Sequence, residues 1–126
     1  MSERSPIRSA DAPRPGGPYS QAIRSGGFLF LAGQGPFQRD GTKVDSSFED
    51  QALQTFRNLE AVAAAAGASL ADAVRVGVYL RDMSNFAAMN KVYLEFLREP
   101  MPARTTIQSD LPGFEIEVDA IIAVGD

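Results

Sequence analysis

The 126-residue sequence predicts a single α+β domain, in which two helices cover one face of a mixed or antiparallel β-sheet. Three observations support this fold class. Apolar and polar residues alternate over positions 74–81 and 114–124, as in half-buried strands. Positions 46–66 and 84–97 carry apolar residues at helical spacing. With further short strands the predicted order is β-ββ-α-β-α-ββ, and no repeat or linker interrupts it, so the domain is expected to span residues 1–126.

The first third of the chain is predicted to contain three strands. A short edge strand near residues 6–9 leads into a loop rich in proline and glycine, and residues 22–25 and 28–32 then flank a two-glycine hairpin turn. The segment Phe28-Leu29-Phe30-Leu31 is apolar at every position, so this strand needs cover on both faces. Because two helices cover only one face, we expect the other face to pack against further copies of the chain.

The helices have recognisable ends. Ser46 and Glu49 fit a capping box at the start of the first helix, and Gly67 fits its C-terminal stop. The second helix is expected to end before Pro100, and a further strand to begin at Pro102.

Composition excludes several classes of function. The chain has no histidine and no cysteine, which removes the usual zinc sites, the common catalytic triads and disulfides. Its formal net charge is −4 and its twelve basic residues are scattered, so we expect no nucleic-acid partner. No segment has the length of a membrane span or the pattern of a signal peptide, which predicts a cytoplasmic protein without a membrane partner. Catalysis would rely on Arg, Asp, Glu, Tyr, Ser, Thr, backbone groups and water.

A cluster of charge marks the last quarter of the chain. Three acids share one face of the final predicted strand, where like charges repel each other. Two arrangements are open: Arg104 and Asp119 lie on non-adjacent strands and meet only through a ligand or water, or this strand forms a hairpin with the preceding one, folded about Leu111-Pro112. Simple symmetry then gives three opposed pairs: Arg104 with Asp119, Thr106 with Glu117, and Gln108 with Glu115.

Two interpretations of Arg104 are open on this pattern. Its planar guanidinium could form a structural salt bridge with Asp119 or Glu117, or it could bind the carboxylate of a ligand. One arginine cannot neutralise three acids, so at least one acid should face water, a partner subunit or a ligand. An acid beside an apolar strand can have a raised pKa and exchange protons. Asp119 is the first candidate for that role and Glu117 the second, with Glu115 expected to be solvated.

Three other positions are ambiguous from the residues alone. Tyr19 follows a Pro/Gly loop and either packs against the domain or walls a pocket. Gly33 belongs to a plain turn or to a strand end whose backbone N–H groups bind an anion. Asn90 interrupts the apolar stripe of the second helix, as a satisfied buried amide or as a group at the rim of a cleft.

Several spaced motifs resemble the Rid family of reactive intermediate deaminases, also called the YjgF family. The motifs are GPYSQA at 17–22, AGQGP at 32–36, AAG at 65–67, MNKVYLEF at 89–96, PARTTI at 102–107, LP at 111–112 and IEVDA at 116–120. They cover nearly the whole chain in the same order, which makes the resemblance far more specific than any single match.

The resemblance implies a homotrimer of chorismate-mutase-like subunits with sites in the clefts between subunits. It also implies hydrolysis of 2-imino acids and their enamine tautomers to 2-keto acids and ammonia, without a metal or a cofactor. In that scheme Arg104 holds the substrate carboxylate, and Asp119 holds and helps to activate the attacking water. The other candidate substrate-binding residues are Tyr19, Gly33, Asn90, Thr106 and Glu117.

The chain departs from the family pattern at three positions. Asp119 stands where well-known members carry glutamate, Ala32 where many carry a hydroxyl residue, and Thr106 where some carry cysteine. Because Arg104 is retained, we expect imine chemistry, with a rate or preference that these changes can alter.

Two other functions stay open. One is a non-catalytic trimer that binds small carboxylates such as keto acids, which needs Arg104 equally. The other is an endoribonuclease or translation inhibitor, which the acidic charge and the lack of histidine disfavour.

Overall fold

A computed structural model describes residues 3–125 of the chain, and within them the elements follow the predicted order. The strands are β1 (Ser5–Ile7), β2 (Ala22–Ser25), β3 (Phe28–Gln34), β4 (Ala73–Leu80), β5 (Ala103–Gln108) and β6 (Ile116–Ala123). The helices are α1 (Phe48–Ala65) and α2 (Phe86–Phe96), and short 3-10 turns precede β4 and α2. The predicted α+β fold class is confirmed.

All six strands form one mixed sheet in the order β1-β2-β3-β6-β4-β5. β4 and β5 run parallel, because α2 carries the chain back between them, and the other pairings are antiparallel. The last strand of the chain, β6, therefore lies in the centre of the sheet, and β5 lies at an edge.

The predicted hairpin between the last two strands is wrong. β5 pairs with β4, where Arg104 lies beside Val76, and β6 pairs with β3 and β4. Polarity explains the difference: β6 is apolar on its buried face and carries Ile121 on the other, which suits a central strand, whereas the largely polar β5 suits an edge. The connection between them passes the end of β4, where Ser109 N–H donates to the carbonyl of Leu80.

The core lies between the helices and one face of the sheet. From the sheet it takes alternate residues of the three central strands, namely Leu29, Leu31, Val76, Val78, Leu80, Ile116, Val118, Ala120 and Ile122. From the helices it takes their apolar stripes, namely Ala52, Phe56, Leu59, Val62, Ala63, Met89, Val92 and Tyr93. Burying a large apolar side chain contributes about 1.5–3 kcal/mol, so this layer supplies most of the driving force for folding.

α1 begins slightly later than the capping box predicts. The capping residue is Ser47, whose hydroxyl accepts a hydrogen bond from the N–H of Asp50 at 3.1 Å, while Ser46 donates to the Asp50 side chain. Within residues 3–125, neither helix is long and apolar enough to cross a membrane.

The second face of the sheet is open in a single chain. Phe28, Phe30 and Ile107 extend from it and are 41%, 44% and 47% exposed. The apolar character of β3 on both faces is thus confirmed, with Leu29 and Leu31 in the core and the two phenylalanines outside. That this face packs against further copies stays a prediction.

Candidate functional site

Arg104 extends from the edge strand β5 toward α2, on the helix-covered side of the sheet. Its guanidinium donates a hydrogen bond to Asn90 Oδ1 at 2.8 Å and lies 4.7 Å from the centroid of the Tyr93 ring. The Phe86 ring lies 5.5 Å away. One amide and two aromatic rings therefore hold the guanidinium in place, through a hydrogen bond and cation–π attraction.

Within the described part of the chain, nothing neutralises the charge of Arg104. Its guanidinium belongs to none of the salt bridges among residues 3–125, although its side chain is half-buried. Burial raises the pKa of Tyr93, and the charge of Arg104 acts against that rise, so the phenol that lies against the guanidinium is neutral at pH 7. The remaining N–H donors of Arg104 form a planar fork that matches a carboxylate. A structural salt bridge is therefore the wrong interpretation of Arg104.

Thr106 follows Arg104 on the same face of β5. Its hydroxyl oxygen is shielded from solvent and has no hydrogen-bond partner among residues 3–125. A buried polar atom without a partner costs about 1–3 kcal/mol. A ligand that formed a hydrogen bond with this hydroxyl would recover part of that cost.

The acids of β6 lie on the open side of the sheet. The Tyr79 hydroxyl donates a hydrogen bond to Asp119 Oδ2 at 3.0 Å. Asp119 is registered with Gly77 on β4, and its Oδ1 lies in the space that a side chain at Gly77 would fill. Glu117 packs in the same way over Gly33, where an added Cβ would lie 2.6 Å from Glu117 Oε2. Two glycines thus make room for two carboxylates.

Gly33 lies in a β-bulge beside these acids. The pairing of β3 with β6 shifts register between Leu31 and Gln34, so that Ala32 and Gly33 together face the single residue Asp119. A bulge bends its strand and redirects backbone groups. Gly33 therefore belongs to an irregular strand segment next to Asp119, and the plain turn is the wrong interpretation.

The acids differ in their electrostatic surroundings. Burial raises the pKa of Glu117, and the nearby charge of Asp119 raises it further. Glu115, which we expected to be solvated, instead pairs with Arg81 at 3.6 Å. Within residues 3–125, Glu117 and Asp119 are thus the acids of this strand that a basic side chain does not neutralise.

Tyr19 lies in the loop between β1 and β2 and is 53% exposed. Its hydroxyl accepts a hydrogen bond from the N–H of Gly16 at 3.1 Å. With Arg8, Arg14 and Arg39 it lines a cleft of about 750 Å³, which neither Arg104 nor the acids of β6 reach within one chain. This placement fits the wall of a pocket better than a tyrosine packed into the domain.

The predicted proximity of Arg104 and Asp119 within one chain is also wrong. β4 separates β5 from β6, which puts the two strands about 10 Å apart, and the two side chains extend from opposite faces of the sheet. The candidate residues thus form two groups. The cationic group consists of Arg104, Asn90 and Thr106, and the acidic group consists of Asp119, Glu117 and Gly33.

A family model described as Endoribonuclease L-PSP matches residues 9–124. The chain belongs to this family, which is the YjgF/Rid family. The resemblance stated from the motifs is confirmed.

Relatives of known name and structure agree with this assignment. A RutC family protein of Pyrococcus horikoshii is 48% identical over 118 residues, which are 91% of this chain and 94% of the relative. A 2-iminobutanoate/2-iminopropanoate deaminase of Dermatophagoides farinae is 38% identical over 127 residues, 98% of this chain and 99% of the relative. Two crystal structures superimpose closely. RidA of an Antarctic Psychrobacter has a TM-score of 0.89 at 37% identity, covering 95% of this chain and 99% of that one. Escherichia coli TdcF with bound serine has a TM-score of 0.87 at 30% identity, covering 94% and 98%.

Sequence reasoning missed four residues around the two groups of this Rid-family chain. Gly77 and Tyr79 share a face of β4 by simple alternation, but only the register with β6 brings them to Asp119. Phe86 and Tyr93 were placed on the apolar stripe of the second helix, but their contacts with Arg104 were not predicted. Their spacing of four and three residues from Asn90 was the available signal, because residues so spaced lie on one helical face.

Proposed function

We propose that this protein hydrolyses reactive 2-imino acids and their enamine tautomers to 2-keto acids and ammonia. Arg104 carries the proposal, because its guanidinium is half-buried, held by neutral groups and shaped to bind a carboxylate. A 38%-identical relative bears the name of a 2-iminobutanoate/2-iminopropanoate deaminase, which supports this substrate class. The structure of TdcF with bound serine supports a ligand of the same size with an α-carboxylate.

The proposed site is shared between two copies of the chain. A small imino acid cannot contact both Arg104 and Asp119 of one subunit, since they lie on opposite faces of the sheet. We therefore propose that the cationic group of one copy faces the acidic group and Tyr19 of the next, as the family resemblance implies for a homotrimer. The exposed Phe28 and Phe30 give the open face the apolar surface that such a contact needs.

The reaction needs orientation and proton transfer. Arg104 binds the carboxylate and so fixes C2 of the imine. Asp119 accepts a proton from water as the water oxygen forms its bond to C2. That proton passes to the imine nitrogen and gives a neutral carbinolamine. Asp119 then takes the proton of the carbinolamine hydroxyl and passes it to the same nitrogen, so that the C–N bond breaks as the C=O bond forms and ammonia leaves the 2-keto acid. An imine is already electrophilic, so these steps require neither a metal nor a cofactor.

The test is to generate 2-iminopropanoate in solution and to follow pyruvate or ammonia release with and without the protein. We expect acceleration over buffer, and we expect Arg104→Ala to lower kcat/KM by about 100-fold or more, because it removes a charge-assisted contact to the substrate. Arg104→Lys should have a kcat/KM between those of wild type and Arg104→Ala, since lysine keeps the charge but lacks the planar pair of donors. The matched control is Arg57→Ala on the exposed side of α1, which should keep full activity. Full activity in Arg104→Ala would contradict the site.

A trimer that only binds small carboxylates is the second candidate, because it would use Arg104 in the same way. Pyruvate binding measured by calorimetry, lost in Arg104→Ala and unaccompanied by imine turnover, would select this function over the deaminase.

We further propose that RNA is not a substrate, although the description of the family includes an endoribonuclease. A net charge of −4 opposes binding to a phosphate backbone, and the chain has no histidine for acid–base cleavage. Binding of a short RNA at low salt would contradict this. The cytoplasmic location expected from the sequence also stays a prediction, which subcellular fractionation would check.

A further inference from the structure

Tyr79 donates a hydrogen bond to the acid that the proposed reaction uses, yet that reaction gives the tyrosine no role. It is registered with Glu117 across the β4–β6 pair, and its hydroxyl reaches diagonally to Asp119 Oδ2 at 3.0 Å. The hydrogen bond and the charge of Asp119 both raise the pKa of Tyr79, so the phenol keeps its proton at neutral pH and acts as the donor.

We propose that Tyr79 is a positioning residue that, together with Gly77, sets the Asp119 carboxylate for proton exchange with the attacking water; this rests on the deaminase function proposed above. The Tyr79 hydroxyl occupies Oδ2. The other oxygen, Oδ1, lies over Gly77, where the absence of a Cβ leaves it space. Oδ1 is therefore the oxygen that accepts the proton from water, while Tyr79 does not contact the reacting atoms.

The arrangement explains how a short acid can serve in this position. Asp119 has one methylene fewer than the glutamate of well-known family members, so its carboxylate stays close to the sheet. At that depth it is within reach of a hydroxyl from the neighbouring strand, and a side chain at residue 77 would displace it. The hydrogen bond to Oδ2 fixes the orientation of the carboxylate, and Gly77 leaves room for that orientation, which proton transfer at a fixed water requires.

A purely structural role for Tyr79 makes a different prediction. Tyr79 packs beside Glu117 on a half-covered face, so loss of packing would lower stability and would affect every variant equally. A positioning role acts through Asp119 alone. It should therefore disappear when the Asp119 carboxylate is already absent.

The experiment measures kcat and KM for 2-iminopropanoate hydrolysis in four chains: wild type, Tyr79→Phe, Asp119→Asn and the double variant. We expect Tyr79→Phe to lower kcat about 10-fold with KM within about twofold, since substrate binding rests on Arg104 and the lost hydrogen bond is to a charged group. In the Asp119→Asn background the same change should alter the residual kcat by less than about twofold.

Two further variants complete the test. Gly77→Ala should also lower kcat at a preserved KM, because the new methyl group pushes Oδ1 out of place. Thr105→Val is the matched control: it removes a hydroxyl from the same face, at the position registered with Gly77 on the other neighbouring strand, and should keep wild-type kcat. Thermal unfolding of each variant checks the fold, and Tyr79→Leu, which also lacks the hydroxyl, replaces Tyr79→Phe if that variant is unstable.

The outcomes separate the two proposals. Imine turnover by the wild type with an unchanged kcat in Tyr79→Phe and Gly77→Ala would overturn the positioning role and leave the deaminase function standing. An equal loss in the wild-type and Asp119→Asn backgrounds would also overturn it, in favour of packing. Absence of imine turnover by the wild type would overturn the deaminase function, and the positioning role with it.

Discussion

The two sides of the sheet hold opposite charges by different means. On the helix side, Arg104 lies against an amide and two aromatic rings, which are neutral and do not cancel its charge. On the open side, Glu117 and Asp119 lie over glycines, and within residues 3–125 the side-chain hydrogen bond given to these acids comes from a tyrosine hydroxyl. Among the described residues, neither Arg104 nor these two acids form a salt bridge within the subunit.

This difference makes the two sides complementary to each other. A surface with an unpaired guanidinium and a surface with two crowded carboxylates attract one another across an interface. In the proposed function, the carboxylate of the substrate binds the arginine of one surface while its imine nitrogen lies near the acids of the other. The following predictions test whether the two sides function together and what each contributes.

The largest expected effect comes from mixing two inactive variants. Arg104→Ala lacks the cation and Asp119→Asn lacks the acid, so each alone should have almost no activity. Suppose that every site takes Arg104 from one copy and Asp119 from another. Unfolding and refolding an equal mixture should then restore about a quarter of wild-type activity. Each of the two residues has a probability of one half of coming from a copy in which it is intact, so about one site in four contains both. Activity is measured as pyruvate release from 2-iminopropanoate.

The control for mixing is the double variant, Arg104→Ala with Asp119→Asn, refolded with wild type. An intact site then needs wild-type copies at both positions, each with a probability of one half, so about a quarter of the activity of undiluted wild type is expected here too. No recovery in the mixture of single variants, with normal assembly by gel filtration, would overturn the site shared between Arg104 of one copy and Asp119 of another.

Sequence patterns predicted the faces of the strands but not their neighbours. The alternation in β6 correctly separated Ile116 and Val118 from Glu117 and Asp119, because burial on one face imposes period two. Nothing local specifies which strand lies alongside. The short connection after β5 favoured a hairpin, whereas the sheet gains more by burying the apolar β6 in its centre.

The same limit explains which site residues could be predicted. Arg104 was recognisable because a family motif contains it, whereas its supposed place among the acids of β6 depended on a hairpin that does not form. The roles of Tyr79 and Gly77 depend on a register between strands about 40 residues apart in sequence, and the aromatic contacts of Arg104 depend on the parallel return of β5 beneath α2. Such contacts follow from tertiary packing, and the local pattern shows at most that Phe86, Asn90 and Tyr93 share a helical face.

An intermediate effect is expected when the charge of Arg104 is neutralised in place. Asn90→Asp keeps the shape of the side chain and puts a carboxylate where the amide oxygen now lies, 2.8 Å from the guanidinium. This internal ion pair should compete with the substrate carboxylate and raise KM about 10-fold or more, with little change in kcat. Asn90→Ala is the control, since it removes the hydrogen bond without adding a competitor. A KM as low as that of wild type in Asn90→Asp would show that the free charge of Arg104 is not what binds substrate.

The smallest effect concerns the crowding of the acids and is seen in stability. The pKa of Glu117 is raised by burial and then by Asp119, so the folded state binds this proton more readily than the unfolded state, and stability rises as pH falls through the raised pKa to the ordinary glutamate range. Glu117→Gln should therefore be more stable than wild type at pH 7, by less than about 1 kcal/mol because the half-exposed carboxyl is screened by solvent. The advantage should shrink as pH falls through the raised pKa and vanish below the ordinary glutamate range. Urea unfolding at both ends of this pH window measures the difference in stability.

The control is Glu115→Gln, which breaks the pair with Arg81 and should be no more stable than wild type at pH 7. If the two variants changed the free energy of unfolding equally, Glu117 would be no less stable in its charged form than an ordinary surface glutamate.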